Sequence, residues 1–215
     1  MGADTANLML LSLAWVAYAA LHSSLASLGL KRAVAAHLPR LVSAYRLAYN
    51  LIACLALLPI LWLLVYRPGA WVWRWTGVGA WVMNGLALVA VGILVAWPAG
   101  YDLGEFLGWR QLRMRRGMAE DLEPFRISAL HRFVRHPWYS LSLVILWTRD
   151  MNAARLVSAG WITIYFIVGS WLEERKLLAR FGGAYRDYMD RVPGLLPRPW
   201  RILSRAEARR LEGRR

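Results

Sequence analysis

Cysteine, histidine and acidic residues are scarce in this sequence, and each scarcity removes a class of chemistry. The one cysteine, Cys54, excludes an internal disulfide and a Cys-based zinc site. It lies mid-way along an apolar run, where a thiol serves as a small buried apolar group. Four histidines are present. Two of them, His131 and His136, are five residues apart, which straddles helix faces and is poor metal-ligand spacing, so no metal is expected. No Gly-rich phosphate loop, Gly-x-Ser-x-Gly elbow or His-Glu-x-x-His run occurs. Acids number 13 against 27 bases, a net charge of +14 over 215 residues. The excess is almost all arginine, in short loops between apolar runs and in the tail. That pattern fits anionic lipid and the positive-inside rule rather than nucleic acid. The stretch Met1–Asn7 has no Lys or Arg, so no cleavable signal is expected and the first span should stay in the membrane.

What the chain has is apolar length: 58% of residues are in the hydrophobic set and 13 are tryptophan. Runs of about 20 such residues suit a bilayer. The first span is expected over about Ala6–Leu25, with His22, Ser23 and Ser24 near its inner end. Leu28–Leu41 is too short and polar to span and reads as a helix lying on the surface. A second span, about Ser43–Tyr66, opens with Tyr45, Arg46, Tyr49 and Asn50. Tyr45/Tyr49 and Arg46/Asn50 are i,i+4 pairs, each sharing a face. That face either anchors to lipid headgroups through Arg46 or lines a cavity. Pro59 is expected to kink this helix. Trp71, Trp73, Trp75 and Trp81 read as an interfacial belt before a third span over about Thr76–Trp97. Its Gly77, Gly79, Gly85 and Gly92 would permit close helix contact.

A long segment with Gly108-Trp109-Arg110-Gln111, Arg113, Arg115 and Arg116, then Glu120, Asp121 and Glu123, leads to Arg135-His136-Pro137-Trp138-Tyr139. Pro137 restricts His136 to extended backbone and suits the first turn of a helix, so a loop-to-helix junction is expected there. A helix start offers free N–H groups and partial positive charge to the polar end of a ligand. The 35 residues from 138 to about 172 are too few for two full spans and read as a tight hairpin with a short first arm. Arg149 and Asp150 then sit at the far surface or pair with each other. The hairpin ends at Glu173-Glu174, two acids at the mouth of a membrane helix. The tail from Arg198 is expected to skim the membrane or move freely.

These segments predict an all-α integral membrane protein of about five transmembrane helices. It ends in a C-terminal helical hairpin, where the resemblance given below implies a cytoplasmic cofactor pocket. Organised as one transmembrane domain over 1–215, it has three spans and a surface helix in 1–97, a cofactor-binding region in 98–197 and a basic tail in 198–215. Loop charge places the N-terminus outside and the C-terminus inside, as in a bacterial inner-membrane protein.

The blocks Arg135–Tyr139, Glu173–Leu177, Phe181–Tyr188 and Arg191–Pro197 read Arg-His-Pro-x-Tyr, Glu-Glu-Arg-x-Leu, Phe-Gly-x-x-Tyr-x-x-Tyr and Arg-Val-Pro-x-x-x-Pro. In this order the chain resembles the isoprenylcysteine carboxyl methyltransferase superfamily. Upstream, His22–Ser27, Tyr45–Asn50 and Phe106–Gln111 resemble its bacterial branch of methanethiol S-methyltransferases and membrane proteins associated with nitric-oxide reduction. Two positions depart from the family pattern. Leu141 stands where glycine is usual, and Thr148-Arg149 where the hairpin turn often has proline.

The resemblance implies methyl transfer from S-adenosylmethionine, bound at the cytoplasmic face, to a small thiol or a lipophilic acceptor such as an isoprenylcysteine-like molecule or a lipid. His136, Pro137, Tyr139, Glu173, Glu174 and Tyr185 are the expected cofactor-binding residues. Carboxylates can offset a sulfonium or bind ribose, and rings can stack on adenine or face the cation. Arg135 and Arg191 are expected to stabilise the acceptor anion. Tyr45, Arg46, Tyr49, Arg110 and Gln111 are the expected acceptor-binding set. The expected partners are membrane lipid and the acceptor. Leu141 keeps open a second reading, a non-catalytic membrane factor with the methyltransferase fold.

Overall fold

The computed structural model describes residues 2–96, 104, 107–114 and 125–213. Arg115, Arg116, Glu120, Asp121 and Glu123 lie outside the described residues. The helices are α1 (Ala3–Ala26), α2 (Leu28–His37), α3 (Tyr45–Tyr66), α4 (Gly77–Ala96), α5 (Trp109–Met114), α6 (Pro137–Trp147), α7 (Ala153–Arg191) and α8 (Arg205–Glu212). A 3-10 stretch, Pro39–Ala44, leads into α3. Strands β1 (Trp71–Trp73) and β2 (Met151–Asn152) pair antiparallel, with Trp71 opposite Asn152 and Trp73 opposite Met151.

Four helical stretches are long and apolar enough to cross a membrane: Asp4–Ala26, Pro39–Tyr66, Gly77–Ala96 and Ala153–Arg191. Helix α6 is apolar but has only 11 residues, a rise of about 16 Å and half a bilayer core. The all-α membrane architecture with a short-armed hairpin is therefore what the chain adopts. Helix α3 runs through Pro59 without interruption. Ser27 separates α1 from α2: its extended backbone ends the first, and its hydroxyl accepts from the Leu30 N–H at 3.3 Å to start the second.

The chain divides into two compact units. The first comprises Met1–Trp73, Gly100–Leu122 and Met151–Trp161. Here α1 packs on α3, with Leu11, Ile60, Leu63 and Ala154 buried together. Trp15 Nε1 donates to Ser158 Oγ at 2.9 Å. Cys54 is exposed rather than buried; on an apolar helix that is a lipid-facing position. Gly108 adopts φ +88, and a Cβ there would lie 2.6 Å from the Leu47 nitrogen. Only glycine allows α5 to reach the first turn of α3 this closely.

The second unit comprises Arg74–Ala99, Glu123–Asp150 and Ile162–Arg215. Helix α4 packs on α6. Its exposed stripe of Val78, Trp81, Leu88 and Val95 has helical period, and the buried Ala87 and Ala90 lie on the opposite side. Those alanines are the small buried residues, not the glycines: a Cβ at Gly85 or Gly92 meets nothing within 4 Å among the described residues. Helix α7 carries a second lipid-facing stripe, Ile164, Ile167, Val168, Trp171 and Leu172.

The hairpin closes by an unequal device. Trp147, the last residue of α6, donates through Nε1 to Thr163 Oγ1 at 3.0 Å. Thr163 is ten residues into α7, a rise of about 15 Å. Residues 148–152 cover the remaining height as non-helical chain, and the side chains of Arg149 and Asp150 are both bonded, although Arg149 Nε is buried without a partner among the described residues. Arg149 reaches Asn84 Oδ1 at 2.9 Å and the Met83 carbonyl at 3.2 Å. Asp150 accepts from the Trp75 N–H at 2.9 Å. Both charges are thus tied to the α4 region.

Gly108→Ala should lower stability by about 1–3 kcal/mol, because it adds a left-handed strain and a backbone clash. Gly85→Ala should be neutral to about 1 kcal/mol stabilising. Thermal unfolding of the two variants in detergent, followed by circular dichroism, checks both.

Candidate functional site

Helix α6 starts where sequence chemistry places it. Pro137 occupies its first position and His136, with φ −123, precedes it. That junction is stitched to the last loop by main-chain bonds. The Arg135 N–H donates to the Pro193 carbonyl at 2.8 Å and the His136 N–H to the Gly194 carbonyl at 3.1 Å. Ser140 Oγ adds a bond to the Leu195 carbonyl. Thus the Arg135–Tyr139 and Arg191–Pro197 blocks, far apart in sequence, lie side by side.

Glu173 and Glu174 arrive from α7. Glu173 is twenty residues beyond Ala153, a rise of about 30 Å, which is the thickness of a hydrocarbon core. The acids therefore emerge as the apolar stretch ends. Glu174 Oε1 accepts from Arg135 Nε at 2.7 Å and lies 2.9 Å from His136 Nε2. Glu173 Oε2 lies 3.5 Å from His136 Nδ1, and its side chain is 52% exposed against 12% for Glu174. Arg135 spends a second nitrogen, Nη1, on the carbonyls of Met189 and Val192. Gly194 leaves room for this knot, since a Cβ there would sit 3.4 Å from Arg135 Nη2.

Burial alone would pull the His136 pKa down. The hydrogen-bonded carboxylates of Glu173 and Glu174 more than offset this and hold it above 6.5. His131 behaves oppositely. Burial and the neighbouring His136 lower its pKa below 6.5, despite Glu173. Its Nδ1 is 2.7 Å from Ser128 Oγ. Two imidazoles in one neighbourhood are thus pushed apart, one toward the cation and one toward the neutral base.

The aromatic residues divide between support and contact. Tyr139 stacks on Phe166 at 4.5 Å and against His136 at 5.6 Å. Tyr185 and Tyr188 are buried in the cluster of Ile127, Val192, Leu203, Ala208 and Leu211. Tyr188 donates to the His131 carbonyl at 2.6 Å. Arg191 faces Glu207 at 3.6 Å. Among the described residues its ion pair is with α8 rather than with the Glu174 cluster. Leu141 is half-buried on α6.

The expected acceptor-binding residues gather in the first unit. Gly108 brings Arg110 and Gln111 to the turn that holds Tyr45 and Arg46. Asn50 Nδ2 donates to the Leu107 carbonyl at 3.2 Å. Gln111 is buried. Tyr45 is fixed by a bond to the Leu25 carbonyl. The Tyr49 hydroxyl lies 2.6 Å from His22 Nε2, and Tyr18 stacks on the same imidazole. His22 therefore belongs to this polar cluster, which the i,i+4 pattern within one helix does not reveal. Among the described residues, no group of three or more His, Cys, Asp or Glu is arranged to hold a metal.

Known proteins are similar to this chain over most of its length. Methanethiol S-methyltransferase 2 of Bradyrhizobium diazoefficiens is 36% identical over 197 residues, 89% of this chain and 72% of the relative. The chain belongs to the methanethiol S-methyltransferase family. The methanethiol S-methyltransferase of Mycobacterium tuberculosis is 34% identical over 202 residues, 91% of this chain and 78% of that one. One from a Pseudomonas species is 31% identical over 194 residues, with 84% and 70% covered. No protein-family model and no solved structure matches. Membership fits the isoprenylcysteine carboxyl methyltransferase-like branch and makes the chain a membrane methyltransferase.

The raised pKa of His136 has a consequence for this methyltransferase's stability. The stabilisation it contributes is present in full below pH 6.5 and is lost as the pH climbs through its raised value. Wild-type unfolding temperature should therefore fall as pH increases above 6.5. Glu174→Gln should flatten that slope and, at pH 6, cost about 3 kcal/mol by leaving Arg135 without its partner. Differential scanning fluorimetry across pH 6–9 reads both effects.

Proposed function

We propose that the chain transfers the methyl group of S-adenosylmethionine to a small thiol, methanethiol being the acceptor that the relatives' names supply. The observation that carries this reading is the state of the two acids. Glu174 is neutralised by Arg135 and His136. Glu173 remains half-exposed beside them, its one ion pair among the described residues a 3.5 Å contact to the imidazole. A carboxylate with an open side at the rim of a buried charge knot fits a ligand that carries an ammonium, a sulfonium and ribose hydroxyls. The donor set thus fits the methyl donor through Glu173, His136 and the helix start at Pro137.

When bound, S-adenosylmethionine supplies a methyl group on a positively charged sulfur. The chain's own task is to align and to dehydrate. Alignment of nucleophile, methyl and leaving sulfur supplies about 7–11 kcal/mol of barrier lowering in favourable cases. Arg135 acts here as a positioning residue, since Nε and Nη1 are committed to Glu174 and to main-chain carbonyls. His131, neutral and tethered to Ser128, is the group we assign to take the thiol proton at Nε2. Within the first unit, Tyr45, Arg46, Tyr49, Arg110 and Gln111 are the residues we assign to bind a methyl acceptor. The membrane is a bacterial inner membrane, with the Arg135–Glu174 cluster and the C-terminus on the cytoplasmic side.

The test is labelled-methyl transfer by purified protein in nanodiscs, with methanethiol, isoprenylcysteine analogues and phosphatidylethanolamine as acceptors. Dimethyl sulfide formation should dominate. Glu173→Gln should raise the KM for the methyl donor about tenfold with a smaller change in kcat. His131→Asn should lower kcat/KM by about a hundredfold and remove the loss of rate on acidification below pH 6.5. Release from lipid or isoprenylcysteine but not from methanethiol would reject the acceptor assignment.

A further inference from the structure

The C-terminal segment forms a helix packed on the protein rather than the free tail that is one of the two readings of its composition, and it has two faces. Ser204 opens α8 with a capping box: its hydroxyl accepts from the Glu207 N–H, and Glu207 Oε2 accepts from the Ser204 N–H at 2.8 Å. The inward face consists of Leu203, Ala208 and Leu211, each under 5% exposed, packed with Ile127, Tyr188 and Val192. Three further bonds hold it. Arg132 and Leu203 exchange two: Arg132 Nε donates to the Leu203 carbonyl at 2.7 Å, and the Leu203 N–H donates to the Arg132 carbonyl at 3.1 Å. Glu212 accepts from the Ile127 N–H at 2.5 Å. The segment clasps the chain that leads into Arg135 against the chain whose carbonyls Arg135 grips.

The outward face has the opposite chemistry. Arg205 and Arg209, one turn apart on α8, are exposed, as are Arg198, Arg201 and Arg210. Among the described residues Arg198, Arg201, Arg205 and Arg209 make no ion pair, and Arg210 acts only through its charge on Glu207. Both acids of α8 are otherwise engaged, Glu207 with Ser204 and Arg191 and Glu212 with Ile127. Interleaved with the arginines are Leu196 at 74% exposure, Trp200 at 78% and Ile202 at 45%. Water gives no reason to hold three large apolar side chains among unpaired arginines. A headgroup layer does, because it offers phosphate to guanidinium and acyl chain to indole.

We propose that the outward face of this clasp docks on anionic phospholipid. Trp200 and Leu196 enter the headgroup boundary, and the five arginines pair with headgroup phosphates. Because the inward face of the same segment braces the Arg135–Glu174 cluster, the charge of the bilayer sets how firmly that cluster is held. This docking does not depend on which methyl acceptor is used.

Hydrogen-exchange mass spectrometry of the full chain tests it, comparing nanodiscs of phosphatidylcholine alone with nanodiscs that include phosphatidylglycerol. Amides of residues 198–213 should exchange about tenfold more slowly over the anionic lipid, and high salt should erase the difference. Replacing Arg198, Arg201, Arg205, Arg209 and Arg210 by glutamine should also erase it, with amides of 185–192 unchanged in neutral lipid as the check on folding. Trp200→Ser should reduce protection in both lipids. If the variants fail to fold, the wild-type comparison of the two lipids decides alone. Equal exchange in both lipids overturns the proposal. So does equal protection from inorganic phosphate in neutral nanodiscs, which would mark a soluble-anion site.

Discussion

The contact between Arg135 and Glu174 is the constraint on which the second unit depends. At 2.7 Å, with both side chains nearly buried, it joins the entrance of α6 to the middle of α7. The same guanidinium reaches the carbonyls of Met189, in the last segment of α7 beyond its break at Gly182, and of Val192, and so adds the end of that helix and the start of the loop after it. Charges this far from water are stable only with partners at hand, and removing one partner strands the other. The neighbouring chemistry follows from that requirement. His136 lies on the second side of the same carboxylate oxygen, Gly194 leaves the space that a Cβ would fill, and Pro137 gives up an N–H that nothing would accept.

The apolar body sets the height at which this knot forms. Helix α7 rises about one hydrocarbon thickness between Ala153 and Glu173, so its acids are delivered at the edge of the greasy layer. Helix α6 is too short to match it. Residues 148–152 make up the difference as non-helical chain, a turn followed by the short strand β2, which would expose unsatisfied polar groups in lipid. Pairing of β2 with β1 and the bonds of Arg149 and Asp150 to the α4 region provide those partners. At this turn the chain uses an arginine and an aspartate held by bonds to the α4 region.

Much of this was legible in the residues. Apolar run length located the spans within a few positions, because a bilayer imposes one length on any helix that crosses it. The Arg-His-Pro-x-Tyr and Glu-Glu blocks were readable as one site because a hairpin returns to the side it left, and His136 does meet Glu174 at 2.9 Å. Other features were hidden for physical reasons. Composition cannot tell a mobile basic tail from a docked one; the capping box at Ser204 and the apolar spacing of Leu203, Ala208 and Leu211 were the signals available. Glycine frequency suggested the close face of α4, yet alanines occupy it, since either residue permits approach. His131 and His22 gain their interest only from neighbours distant in sequence, Ser128 apart. Arg191 was grouped with Arg135 by type, but its charge is directed to Glu207.

The account rests on Arg135 and Glu174 acting as one unit that preorganises the donor site. A double-mutant cycle on S-adenosylhomocysteine affinity, with Arg135→Ala, Glu174→Ala and the pair measured by isothermal titration in nanodiscs, addresses this directly. The account predicts strong coupling, with each single variant about as weak as the double. Additive losses, or single variants that bind as tightly as the wild type, would contradict it.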